Sequence, residues 1–123
     1  MFRIELEPEV RSWLEELSFP HYQRVMRNAD DYLVDRGDLL DGYHTKALRN
    51  GVRELRVILG ETSWRISYWL PSGRGRVIVL LTVFQKTREG PQHDDVERAV
   101  KAKQICEATH LDATTHVFER SGS

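Results

Sequence analysis

The sequence predicts an α+β domain: an antiparallel sheet with two N-terminal helices packed on it and a further helix towards the C-terminal end. Three observations carry that expectation. Residues 53–59 and 62–70 alternate apolar and polar side chains and meet at Gly60-Glu61, the pattern of a β-hairpin. Two earlier segments repeat apolar residues every three or four positions, first Val10, Trp13, Leu14 and Leu17, then Tyr22, Val25, Met26, Ala29, Tyr32 and Leu33. That spacing sets each group on one helical stripe. Finally, Val77-Ile78-Val79-Leu80-Leu81 is a continuous apolar run, too short to span a bilayer and rich in the β-branched residues of a strand covered on both faces.

Taken in chain order, Phe2, Ile4 and Leu6 alternate with Arg3, Glu5 and Glu7 as a short half-buried strand. Pro8 suits the first helical position, where its missing N–H costs nothing, so a helix is expected over 9–17 until Ser18-Phe19-Pro20 breaks it. A second helix is expected over 21–36, stopped by Gly37. Residues 38–51 read as a polar and basic connection closing on the Asn50-Gly51 turn signal. After the hairpin, Pro71-Ser72-Gly73-Arg74-Gly75 is a loop into a third strand over 76–84. Pro91 marks another break. A helix then begins at Asp94 or Asp95, acidic residues suited to a first turn, and runs to about Thr109 with Val96, Ala99, Val100 and Lys103 on one stripe. Residues 114–118 are a possible edge strand. With 123 residues and 40% hydrophobic content, one core and a single domain over 1–123 are expected.

Charge is distributed unevenly. Residues 42–91 hold nine Lys or Arg against three acidic residues, a net of +6, whereas residues 1–41 carry a net of −5 and residues 92–123 a net of −2. A surface built from the middle segment attracts polyanions, and the ends do not. Parity refines this: if Leu55, Val57, Trp64 and Ile66 face the helices, Arg56 and Arg65 point from the opposite face, and Lys86 and Arg88 arrive from the end of the next strand. Arginine grips phosphate through a planar fork. The competing reading pairs these cations with Glu54 or the acidic helices.

Other chemistries find little support. His21, His44, His93, His110 and His116 are scattered, and no HExxH or paired CxxC spacing occurs. Neither metal nor cofactor is implied. The single Cys106 excludes an internal disulfide, fits a reducing, cytoplasmic setting, and suits a small apolar filler in a helix. The N-terminus lacks an export pattern and no segment suits a membrane. A cationic cluster without metal can still cleave RNA. There the 2′-hydroxyl is a built-in nucleophile, and the protein supplies a base, cations for the developing phosphate charge and a proton for the leaving 5′-oxygen.

At this point the chain resembles the RelE/ParE superfamily of toxins, and within it the phage-derived Gp49-like or HigB-type branch. The resemblance rests on Lys46-Ala47-Leu48-Arg49-Asn50-Gly51-Val52-Arg53-Glu54-Leu55-Arg56, on Arg65-Ile66-Ser67-Tyr68, and on Val79–Thr87 with its Phe84-Gln85-Lys86 end. It implies a small RelE-like fold and the toxin of a type II toxin–antitoxin system, acting as a ribosome-dependent mRNA endoribonuclease that needs no metal. The implied partners are a helical DNA-binding antitoxin, the ribosome and mRNA. The implied catalytic residues are Arg56, Arg65 and Lys86, with Lys46, Arg49, Arg53 and Arg88 as further RNA contacts. Gln85 stands where the family often has a second basic residue, and no Tyr follows Tyr68. A gyrase-poisoning branch shares the scaffold, and a catalytically weak RNA- or antitoxin-binding regulator is the non-enzymatic alternative.

Overall fold

The computed structural model describes residues 1–90 and 92–109. Its centre is a five-stranded sheet built from β1 (Arg3–Leu6), β2 (Thr45–Ala47), β3 (Arg53–Leu59), β4 (Thr62–Trp69) and β5 (Val77–Gln85), in the order β1-β5-β4-β3-β2. The β1–β5 pair is parallel and the other three are antiparallel. The expected hairpin and third strand are therefore present within a residue of their expected ends. β2 was not foreseen. Its three residues hold a register on β3, Thr45 opposite Leu55 and Ala47 opposite Arg53, and so short an edge strand leaves too few positions for alternation to register. The edge strand expected over 114–118 lies outside the described residues.

Helices α1 (Pro8–Glu16) and α2 (Phe19–Ala29) lie on one face. Pro8 occupies the first turn of α1, and the Ser18 side chain accepts the His21 N–H at the start of α2. The α2 stripe continues as expected, but Asp30–Val34 widens into a π-helical turn instead of finishing the α-helix. That turn delivers Leu33, fully buried, to the core and lets the Val34 carbonyl accept the Phe2 N–H at 2.7 Å. Gly37 acts differently from the left-handed cap the sequence suggests. Its φ is not positive, and a Cβ there would sit 2.3 Å from Ile78 Cδ1 and 2.6 Å from the Leu33 carbonyl. Close approach to β5 is what demands glycine.

Two cores result. Val10, Leu14, Val25 and Leu33 pack on Leu55, Val57, Ile66, Tyr68, Ile78 and Leu80, with Trp13 tilted against Trp64 at 5.3 Å between centroids. On the other face, α3 (His93–Thr109) lays Ala99, Val100 and Cys106 on Val52, Trp69, Val77, Val79 and Leu81. This double coverage explains the unbroken apolar run in β5. Cys106 is the buried filler expected, its thiol pushed up to about 11 by burial. Lys103, the polar member of the stripe, places its ammonium 5.0 Å above the Trp69 ring.

One irregularity matters for the site. β4 and β5 pair Ser67 with Thr82 but Tyr68 with Leu80, so Leu81 is an extra residue in β5. A bulge reverses the parity beyond it. Val77, Val79 and Leu81 face α3, Val83 turns to the opposite core, and Thr82 and Phe84 continue on the α3 side. Lys86 is thereby brought into phase with the outward residues of β3 and β4.

Candidate functional site

Among the described residues, the α3 face of the sheet is covered only at the Val77–Leu81 end. Beyond the N-terminus of α3 it opens into a cavity of about 540 Å³, lined from β2 by Lys46, from β3 by Glu54 and Arg56, and from β4 by Ser63 and Arg65. Phe84 also lines it, and so do Lys86, Arg88, Glu89 and Gly90, with Gln92 just before α3 and Val96 within it. Arg56, Arg65 and Lys86, the three expected catalytic residues, thus line one cavity, together with Lys46 and Arg88. Local rules account for it: β3 and β4 pair Arg56 directly with Arg65, a like-charged cross-strand pair that disfavours the empty site and suits an anion between or above the two.

Each cation is held differently. Arg65 is almost enclosed, 12% exposed, and its Nη1 donates to Ser63 Oγ at 2.7 Å and to the Trp64 carbonyl at 3.2 Å, while Nε stands 3.7 Å from Glu54 Oε2. Burial lowers its pKa, with Glu54 opposing and Arg56 reinforcing that shift. The Arg56 guanidinium lies 4.6 Å above the Tyr43 ring, and its buried Nε has no hydrogen-bond partner among the described residues. Lys86 donates through Nζ to the Gly90 carbonyl, which fixes the ammonium over the loop it closes.

Two functional candidates escaped the sequence reading. Glu54, treated there only as a possible ion-pair partner, is 14% exposed at the centre of the cation cluster. Burial raises its pKa, although Arg65, Lys86 and Lys46 pull in the opposite direction. A carboxyl that is hard to ionise among cations is suited to accepting and returning a proton. Its shared parity with Arg56 was the available signal. Gln92 is the second. Its Oε1 accepts the Thr87 N–H at 2.8 Å, and its Nε2 donates to the Gln85 carbonyl at 3.2 Å and to Asp95 Oδ2 at 2.7 Å. This buried amide ties the Lys86 loop to α3, a role that no local pattern announces.

The remaining expected RNA contacts are not gathered here. Arg53 shares parity with Leu55, so it points to the helical face, where Nη1 donates to the Gly37 carbonyl at 3.0 Å. It lies opposite Tyr68, whose hydroxyl burial pushes up to about 12 despite that guanidinium. Arg49 pairs with Glu97 and lines a separate open groove of about 750 Å³ along α3 with Arg98 and Lys101. That groove is larger, but its residues include no buried titratable group, and its arginines are already paired, Arg49 with Glu97 and Arg98 with Glu9. The cavity at Glu54 has the chemistry. Among the described residues, no cluster of His, Cys, Asp or Glu is placed to hold a metal ion, and no helix is long and apolar enough to cross a membrane.

The sequence profile of the family described as phage-derived protein Gp49-like matches residues 12–104, three quarters of the chain. The chain belongs to this Gp49-like family. Among solved structures it is similar to the archaeal RelE-RelB complex from Pyrococcus horikoshii OT3, with a TM-score of 0.52 and 21% identity over 71% of this chain and 97% of that one. The Gp49-like chain therefore has a RelE-like fold, as its motifs implied. No curated protein matches it.

Proposed function

We propose that this Gp49-like protein is the toxin of a type II toxin–antitoxin pair and acts as a metal-independent endoribonuclease on mRNA presented by the ribosome. The observation that carries the reading is the half-buried Glu54 carboxyl that shares one cavity with Arg56, Arg65, Lys86 and Lys46. Family membership and the RelE-like fold support it, as does the neighbour's occurrence in a complex with RelB, which favours a cognate antitoxin for this chain too.

The reaction follows from what the residues offer. A phosphodiester entering the cavity meets the planar forks of Arg56 and Arg65, which hold its non-bridging oxygens and stabilise the charge that grows on them. Glu54 takes the proton from the 2′-oxygen as that oxygen bonds to phosphorus. The bond to the 5′-oxygen breaks, and Lys86 is positioned to protonate that leaving oxygen. The products are a 2′,3′-cyclic phosphate and a free 5′-hydroxyl. Lys46 and Arg88 line the same cavity and are the cations assigned to the flanking phosphates of the strand. Gln85, exposed at the end of β5, adds no cation beside Lys86.

Induction of the protein in a bacterial host, followed by primer extension on abundant messages, tests the reading. Discrete cuts inside translated codons, and relief of growth arrest by a neighbouring small helical DNA-binding protein, are expected. Intact message with a DNA-damage response would replace the reading by action on gyrase. Intact message without damage would leave a binding protein.

A further inference from the structure

A second, smaller cleft lies across Arg56 from the catalytic cavity. It holds about 200 Å³ between α2 and the loop entering β2. Its composition is unusual for a surface depression. Tyr43 is 55% exposed and Ile58 43% exposed, so two large apolar side chains stand uncovered at one place. Behind them the Tyr32 and His44 rings stack at 4.0 Å and 13°, and Tyr43 meets His44 edge-on at 4.7 Å. Arg24 and Asn28 line it from α2, adding a cation and a side-chain amide.

The aromatic wall is held in place. The Asp41 carboxylate accepts the N–H groups of Tyr43, His44 and Thr45 at 2.6–3.0 Å and the His44 Nδ1 at 2.9 Å, and His44 Nε2 meets the Tyr32 hydroxyl at 3.1 Å. Partial burial works against the Asp41 charge, but these hydrogen bonds outweigh it and hold the carboxyl far below the usual range. These hydrogen bonds thus fix a loop that presents an exposed tyrosine ring. A rigid exposed aromatic beside cations is the arrangement that binds unpaired bases, because every base has a stacking face and its phosphate brings the charge.

Arg56 joins the two clefts: it lines both, with its guanidinium above Tyr43. We propose that the Tyr43 cleft is a base-stacking subsite for single-stranded RNA, holding the base of the nucleotide next to the phosphate in the Glu54 cavity. This rests on the endoribonuclease reading for the position of that phosphate. Tyr43 and Ile58 flank the base, Asn28 meets its polar edge, and Arg56 spans base and phosphate. Tyr43 supplies affinity without sequence readout, and Asn28 is the side chain able to add preference for one base edge.

The test uses the full chain and a labelled, uncleavable 2′-O-methyl pentaribonucleotide, with and without an abasic site at one internal position, read by fluorescence anisotropy. Tyr43→Ala should weaken binding of the intact strand by roughly tenfold or more, the effect of losing one stacking partner, and Tyr43→Phe should not. The wild-type protein should lose about the same factor with the abasic strand, while Tyr43→Ala is indifferent to it. Equal binding by wild type and Tyr43→Ala, equal penalties for the abasic site in both, or no measurable binding by wild type overturns the subsite. The two readings fail separately. A protein that leaves message intact yet shows the Tyr43-dependent stacking keeps this site and loses the nuclease. One that cuts message while Tyr43→Ala binds like wild type keeps the nuclease and loses this site.

Discussion

Replacing Glu54 by Gln removes the proton acceptor and its charge together, and cleavage and stability, read side by side, tell which of the two matters. The amide keeps the size of the carboxyl, but it cannot take a proton and carries no charge to set against Arg65, whose Nε stands 3.7 Å from the carboxylate. Loss of a positioned general base typically costs about 10²–10⁴ in rate, so single-turnover cleavage by Glu54→Gln on programmed ribosomes should fall within that range. Stability should move the other way. The folded-state pKa of Glu54 is raised, chiefly by burial, so the folded protein binds this proton more tightly than the unfolded chain does. Stability then declines as pH rises from the ordinary glutamate range through the folded-state value. Glu54→Gln lacks that decline, and its melting temperature should match wild type in acid and exceed it at neutral pH. Thermal unfolding across pH on the same samples checks this. Refutation is simple: cleavage within a few-fold of wild type, with a lower melting temperature at neutral pH, makes Glu54 a counter-ion for Arg65 and nothing more.

Ala at Arg56, Arg65 or Lys86 should leave the fold intact and lower cleavage by roughly 10²-fold or more, the scale of losing one preorganised donor; parallel cleavage and melting curves decide. Arg65→Lys should rescue little, since a point charge cannot replace a fork that also bonds Ser63 and Trp64. Gln92→Ala frees the Thr87 N–H and the Gln85 carbonyl, and should reduce the cleavage rate on saturating ribosomes more than it weakens ribosome binding in a pelleting assay. Leu14→Ala, at a fully buried position between α1 and the sheet, should cost about 2–5 kcal/mol in denaturant unfolding without altering activity per folded molecule.

The hairpin, the two N-terminal stripes and the doubly covered β5 were legible because each spans enough residues for a period to declare itself. Gathering of Arg56 with Arg65 was legible too, as parity on two adjacent strands fixes a shared face. Lys86 reaches that face because of the extra residue at Leu81, and a bulge inside an apolar run leaves no mark in hydrophobic patterning. The same parity rule placed Arg53 on the helical side, although its position in the basic motif suggested RNA. Glu54 was visible as a residue but not as a half-buried acid, since its cover comes from α3 and the Lys86 loop, segments far along the chain. Gly37 signalled a helix stop through its identity, yet its reason is contact with Ile78 and Leu33. Long-range approach, not local propensity, is the common element in what was missed.

The central claim is that the nucleophile belongs to the RNA and the protein supplies only the acid, base and cations around it. The most direct measurement programs purified ribosomes with a message carrying a single 2′-deoxy nucleotide at the mapped cut site and adds the purified protein. Cleavage of the all-ribose message should leave a 2′,3′-cyclic phosphate and a 5′-hydroxyl, and the 2′-deoxy message should remain whole at that position. Cutting of the 2′-deoxy message at an undiminished rate, or fragments ending in 3′-hydroxyl and 5′-phosphate, would contradict it.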